Sequence, residues 1–396
     1  MDAEIVDDGQ KRARRNLEDY SFDMFFTFLL RSSDNSFWPG AKLLDMKNFF
    51  LKGVALIGLT ACTGYGAVGT ISGPFVHRNL QIFLIHGESQ LEGRHYATLS
   101  EAMAKGMVVV KETGNVSELS IENRSSEAII FLNAGDIVKG GRQDRTIQDD
   151  LILRTRSGWV PLPSFCVENG RWTKRGGEDA ANFSANTKVL TSKDLKLAAR
   201  YGQNQSQVWS GVAEQQMKLN QNLSRLSGET VDTRSTISSS SLQLTLENKK
   251  LDKIKKEYLD EFEPLLNGKT DVIGFAYVIN GELNSAEVYN NKNLFRALWP
   301  KLLDSAVTEA VAECDNDRKY SNVPSSELKM FFETALSGSV KERTVSKSTL
   351  VRALTTPSTV LFETLDLQAD GVWIHKSFIN KGKEKVTVPL DRNSLR

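Results

Sequence analysis

Between residues 80 and 162 the apolar positions come in short runs or alternate with polar ones, the two-residue rhythm of strands with one covered face. Residues 80–85, 107–112, 116–122, 128–132, 150–154 and 159–162 read as strands. Turn-forming Thr113-Gly114-Asn115 and Asn123-Arg124-Ser125-Ser126 separate some of them. A short helical pattern at residues 96–105 interrupts the series, with Thr98 or Ser100 as N-cap and Gly106 as C-cap. Past residue 172 the period lengthens. Residues 191–201 and 208–223 read as helices, and the serine-rich stretch at 233–241 as a mobile loop. Leu251, Ile254, Tyr258, Leu259, Phe262, Leu265 and Leu266 line one face of a helix whose other face carries Lys253, Lys255, Lys256, Asp260 and Glu261. Residues 272–279 and 282–289 flank Asn280-Gly281, a hairpin signal because both turn residues tolerate positive φ. A helix is expected over residues 291–313, kinked or split at Pro300, and a last strand pair at 359–365 and 372–378. The sum is an α+β protein with an antiparallel, β-rich N-terminal half, followed by helices and a further β-hairpin.

The first 79 residues follow no such rhythm. Met46-Lys47-Asn48-Phe49-Phe50-Leu51-Lys52 has the makeup of a basic export leader, and residues 53–61 form an apolar stretch too short to span a bilayer as a helix. Leu59-Thr60-Ala61-Cys62 follows, and it resembles the lipobox of bacterial lipoproteins, in which the cysteine sulfur takes a diacylglycerol thioether. On this reading residues 1–45 are a spurious extension, 46–62 a lipoprotein-type signal with Cys62 lipidated, and 63–79 a flexible tether. Residues 80–380 are then one domain and 381–396 a polar tail. The expected location is the periplasmic side of the outer membrane, since Thr63 and not aspartate follows the cysteine; if the signal is unused, the protein is cytoplasmic.

Composition narrows the function classes. Fifty basic and forty-nine acidic residues leave net charge +1, so no global field draws the chain to nucleic acid. Three cysteines, Cys62, Cys166 and Cys314, cannot build a disulfide scaffold or a four-thiolate zinc site. His86, Glu88, Glu92 and His95 are the nearest approach to a metal cluster, and they read as surface or strand-end residues, so no metal site is expected.

Two loops concentrate the chemistry. Gly140 and Gly141 lack side chains, so a ligand can approach their backbone N–H groups, while Arg142 and Arg145 suit a phosphate or carboxylate and Gln143 adds both a donor and an acceptor. The alternative is internal pairing of the arginines with Asp136, Asp144, Asp149 or Glu168. Cys166, Glu168, Arg171 and Trp172 could border the same pocket. Cys166 is a weak candidate nucleophile with His86 or His95 as base, or else a buried small residue or a disulfide partner of Cys314. Glu168 is a weak candidate general base, Arg171 an anion clamp or ion-pair partner, and Trp172 a stacking platform. Arginines paired to internal carboxylates, with no cavity, would favour a buried network over a ligand pocket.

Residues 96–102 (Tyr-Ala-Thr-Leu-Ser-Glu-Ala), 116–123, 133–145, 166–172, Val272-Ile273-Gly274 and 294–302 together resemble the ARG and rhodanese-phosphatase-superfamily-associated protein domain over about residues 80–310. Asp136 stands where that family usually has glutamate beside the first glycine, which keeps the charge and shortens its reach. The resemblance implies, through the family's neighbourhood with ADP-ribosylglycohydrolases and rhodanese-like phosphatases, a link to ADP-ribose or NAD metabolism. The expected function is an envelope lipoprotein that binds a small anionic or nucleotide-like ligand; the rival is a non-enzymatic structural or interaction module. No cofactor and no catalytic residue is assigned.

Overall fold

In the computed structural model, residues 69–382 are described, apart from 185, 187 and 316. The leader, Cys62 and most of the polar tail lie outside them. In chain order the first elements are β1 (Ile71–His77), β2 (Leu80–His86), β3 (Tyr96–Thr98), α1 (Leu99–Ala104), β4 (Val108–Glu112), β5 (Glu118–Asn123) and β6 (Ile129–Leu132). Then come β7 (Ile137–Gly140), β8 (Arg145–Ile147), β9 (Leu151–Leu153), β10 (Gly158–Cys166) and β11 (Phe183–Ser184). A helical stretch follows: α2 (Lys193–Lys196), running into a π-turn at Leu197–Tyr201, α3 (Gln205–Ser227), α4 (Leu242–Leu246) and α5 (Lys249–Phe262), which ends in a 3-10 turn at Glu263–Leu266. The chain closes with β12 (Val272–Ile279), β13 (Glu282–Tyr289), α6 (Lys292–Ala312), α7 (Ser325–Leu336), β14 (Ser339–Ser346), β15 (Thr349–Thr355), β16 (Thr359–Asp366) and β17 (Val372–Asn380).

Among the described residues these strands form three sheets. An eight-stranded sheet runs β1-β2-β12-β13-β17-β16-β15-β14, a six-stranded one β11-β7-β8-β10-β5-β4, and a three-stranded one β3-β6-β9. The α+β class is as expected, and pairing is antiparallel except between β3 and β6. β12 is buried along its whole length because both faces of the large sheet are covered. Phe275 and Tyr277 join the core of α5 and α6 through Tyr258, Phe262, Phe295 and Trp299. Ala276 and Val278 face the opposite way, onto Leu328, Phe331 and Phe332 of α7. The expected hairpin is present, with Asn280 at φ 55° and Gly281 at φ 76°. Thr98 caps α1 in a reciprocal box with Glu101, and Asn291 caps α6.

Three expectations are corrected. The fold does not begin near Leu80: β1 lies inside the stretch read as a tether and pairs with β2 from Ile71↔Ile85 to His77↔Leu80, so Gly73-Pro74 belongs to a strand at the edge of the sheet. Pro300 neither splits nor ends α6, because its exposed position leaves the ring on the solvent side while the apolar face stays packed. The serine-rich stretch has no regular structure but is tied down, with Thr233 N–H and Oγ1 donating to Asn220 Oδ1 at 2.7 Å and Ser241 buried beneath α4. Residues 322–358, for which no element was expected, supply α7 and the β14–β15 edge.

Proline inside α6 removes one backbone hydrogen bond at a solvent-facing site. Pro300→Ala is therefore expected to raise stability by on the order of 1–3 kcal/mol in chemical denaturation. An unchanged or lowered midpoint would mean that α6 needs the proline's fixed φ.

Candidate functional site

Gly140 ends β7 at φ 121° and Gly141 follows at φ 56°. A Cβ on Gly141 would stand 2.4 Å from the Phe183 ring and 2.7 Å from Glu112 Oε1, so the second glycine is required by packing and not by a ligand. The exposed edge expected for anion binding is spoken for. Gly140 N–H donates to Asp144 Oδ1 at 3.0 Å and Arg142 N–H to Glu112 Oε1 at 2.9 Å. Both glycine carbonyls accept from the Arg171 guanidinium, at 3.2 Å and 3.1 Å.

Beneath this turn lies a charge cluster. Arg175 grips Asp144 through both oxygens at 2.9 and 3.0 Å, reaches Glu168 at 3.2 Å and holds Glu178 at 2.9 Å. Arg171 Nε pairs with Glu168 Oε1 at 2.7 Å. Glu168 also accepts the Asp144 N–H at 3.1 Å, and its backbone carbonyl accepts from Gln143 Nε2 at 2.8 Å. Ser241 Oγ donates to Asp144 Oδ2 at 2.8 Å, which brings the distant serine-rich stretch onto the same carboxylate. Asp144, Glu168 and Gln143 are wholly buried. Three carboxylates here face two guanidinium groups and leave no positive excess for an incoming anion.

Arg145 is turned the other way and is almost fully buried. It donates to the Val116 carbonyl at 2.7 Å and to Cys166 Sγ, and pairs with Glu112 at 3.5 Å. The Cys166 backbone is bracketed by the Gln205 amide, 2.8 Å on each side. Burial pushes the Cys166 thiol up to about 11, with Arg145 only partly offsetting it, so the thiolate a nucleophile needs is disfavoured. His86 is engaged by Ser72 at 2.8 Å and Asp271 at 3.1 Å, and Glu92 pairs with Lys292. No disulfide joins Cys166 to Cys314, which lies beside Tyr258. Of the candidate side chains on the two loops, Arg142 and Trp172 are exposed, Trp172 at 52%, and His95 is likewise exposed, away from the buried Cys166.

Sequence reasoning brought Glu168 and Arg171 together correctly but missed Arg175, Glu112, Gln205 and Ser241. Arg175-Gly176-Gly177-Glu178 could have been noticed, since its ends are a charge pair three residues apart. The others come from remote segments and carry no local signal.

A second buried cluster, also unforeseen, surrounds His375 on β17. Its Nδ1 lies 2.7 Å from Asp150 and its Nε2 3.0 Å from Glu287. Tyr289 stacks on the imidazole with centroids 4.2 Å apart and planes 10° apart. Arg200, on the π-turn after α2, pairs with Asp150 at 3.5 Å and lies over the Phe362 ring. Asp136, the departure from the family pattern, is buried and neutralised by Lys301 of α6. Burial works against charge on His375, but Asp150 and Glu287 outweigh it and raise the imidazole above its ordinary value. Burial likewise opposes ionised Asp150, yet His375 and Arg200 hold it well below the usual carboxylate range.

With this geometry in place, the class is an α+β domain built on a large antiparallel sheet with two buried polar clusters. The model of the ARG and Rhodanese-Phosphatase-superfamily-associated Protein domain matches residues 70–379, and the chain belongs to that family. No curated protein and no solved structure is similar enough to count as a match.

Two measurements test the clusters. Arg175→Met leaves Asp144 and Glu168 buried without their main countercharge and is expected to cost on the order of 3–5 kcal/mol in urea unfolding. A loss below about 1 kcal/mol would show that Arg171 alone suffices. Because folded His375 is raised, its stabilisation is complete below the unfolded value of about 6.5 and fades as pH climbs through the folded one. The stability gap between the wild type and His375→Gln should therefore be widest near about pH 5 and shrink toward about pH 9. A constant gap would rule out a charged imidazole.

Proposed function

We propose that this domain is a binding or interaction module in which residues 135–145 and 166–175 form a loop-fixing polar network and not an anion pocket. The observation that carries this reading is Arg175. It pairs with Asp144, Glu168 and Glu178, while Arg171 and Arg145 are committed to Glu168 and Glu112. A ligand phosphate would have to displace those carboxylates, which would then be buried and unpaired. Glu168 is held by two arginines and a backbone N–H and is wholly buried, out of reach of a substrate. A nucleotide-like ligand such as ADP-ribose keeps one point in its favour: Arg142 and Trp172, one on each of the two loops, are exposed, a cation and an indole of the kinds that hold a phosphate and a base.

We also propose that the protein is carried to the bacterial envelope by the Met46 leader and anchored through Cys62, on the strength of Leu59-Thr60-Ala61-Cys62. Among the described residues no helix is long and apolar enough to cross a membrane, so an anchor of this kind would do the holding.

Thermal-shift measurements with ADP-ribose, NAD and sugar phosphates are expected to leave the melting temperature unchanged. Stabilisation by any of them that disappears in Arg142→Ala would reinstate the anion site. Mass spectrometry of the membrane fraction is expected to find a chain beginning at diacylated Cys62, and an unmodified chain starting at Met1 would refute the anchor.

A further inference from the structure

Lys301 of α6 and Asp136, just before β7, meet in the interior, the ammonium against Oδ1 of the carboxyl. Their side chains are 8% and 4% exposed. In the other deeply placed lysine pairs among the described residues, Lys196–Glu287, Lys255–Asp304 and Lys376–Glu363, one partner reaches 12%, 18% and 15%. The arginine pairs of the loop network differ in kind, since a guanidinium stays charged and offers no free amine.

Both members are placed by the fold. Asp136 Oδ2 accepts the Asn133 N–H at 3.1 Å, the Asp136 carbonyl accepts the Ile147 N–H at 2.9 Å, and its backbone bridges Val189. Lys301 comes from a helix anchored in the core by Leu298 and Leu302. An amine and a carboxyl carbon held together in this way meet the condition under which intramolecular steps are strongly accelerated.

Burial, with Asp150 adding to it, holds the Asp136 carboxyl above its ordinary range, and Lys301 and the Asn133 N–H offset this only in part. At Glu287, the partner of Lys196, the direction is opposite. The difference matters because an ionised carboxylate repels a nucleophile at its carbon and the neutral acid does not. A cavity of about 10 Å3, the size of one water molecule, is lined by Asn133, Ala134, Gly135 and Leu302, chain neighbours of the pair.

We propose that Lys301 and Asp136 become joined by an isopeptide bond that ties α6 to the start of β7. Within the pair one Nζ proton passes to the carboxyl, leaving an amine beside an acid. Nζ then bonds to Cγ and the bond from Cγ to the protonated oxygen breaks. That oxygen leaves as water, carrying its own proton and one of the two still on Nζ, while the amide keeps the other. No oxidant, metal or third reactant enters, and the neighbouring cavity gives the water a place to leave to. The product replaces two buried charges with one neutral amide, which removes the desolvation cost of the ion pair. It also closes a long loop covalently, as a disulfide does elsewhere, in a domain with no disulfide among its described residues. The inference is independent of the role given to the loop network.

Tryptic digestion of the denatured full chain, read by mass spectrometry, is the test. The expected product is residues 125–139 joined to residues 297–318, lighter by one water than the two peptides together and uncleaved after Lys301. In Lys301→Met the linked species should be lost and both peptides should appear separately at full mass, with a melting curve checking that the fold is kept. Wild-type peptides found only separately, with cleavage after Lys301, overturn the proposal whether or not the variant folds. A linked species that survives Lys301→Met overturns it as well.

Discussion

One buried carboxylate holds the sheets of this domain together. Asp150 stands at the entry to β9 of the small sheet and is completely inaccessible to solvent. It accepts the Ala134 N–H at 2.7 Å, the Thr364 hydroxyl of β16 at 2.6 Å and the His375 imidazole of β17, and it faces Arg200 from the helical layer. Ionised in the interior, it would be prohibitively costly without these partners. Its position therefore requires the large sheet, the small sheet and the π-turn to assemble in one arrangement.

The same logic recurs at the glycine turn. Asp144 and Glu168 are buried ions whose countercharges arrive from a separate loop, and the turn closes only when Arg171 and Arg175 reach it. Gly140 and Gly141 are needed because the backbone passes against Asn182, Phe183 and Glu112, with no room for a side chain at Gly141. A motif rich in glycine, arginine and acid has the composition of a ligand loop, and it also has the composition of a tightly crossed junction. Which of the two it forms depends on whether its charges find partners inside the chain.

The His375 cluster is linked to α6. Glu309 bonds Tyr277, whose hydroxyl lies 3.5 Å from Lys196; Lys196 meets Glu287 at 3.4 Å, and Glu287 meets His375. A continuous polar path thus runs from α6 to the carboxylate at the domain's centre. The π-turn at Leu197–Tyr201 directly follows Lys196 and carries Arg200, which meets Asp150 at the end of that path, a backbone irregularity of a kind frequent at functional positions.

Local patterning in the sequence determined most of the elements: the alternating strands, the Asn280-Gly281 hairpin, the capped start of α1 and the helical face of α5 were legible because side-chain period and turn chemistry act over a few residues. The Glu168–Arg171 contact was legible for the same reason, the two lying three residues apart. The pairings that set the site's character were not. Arg175 to Asp144, Ser241 to Asp144, and Asp150 to His375 span 31, 97 and 225 residues. Only the tertiary structure decides whether a charged side chain meets a buried countercharge or solvent, because Coulomb energy and desolvation depend on distance and burial in space and leave no trace in local order along the chain.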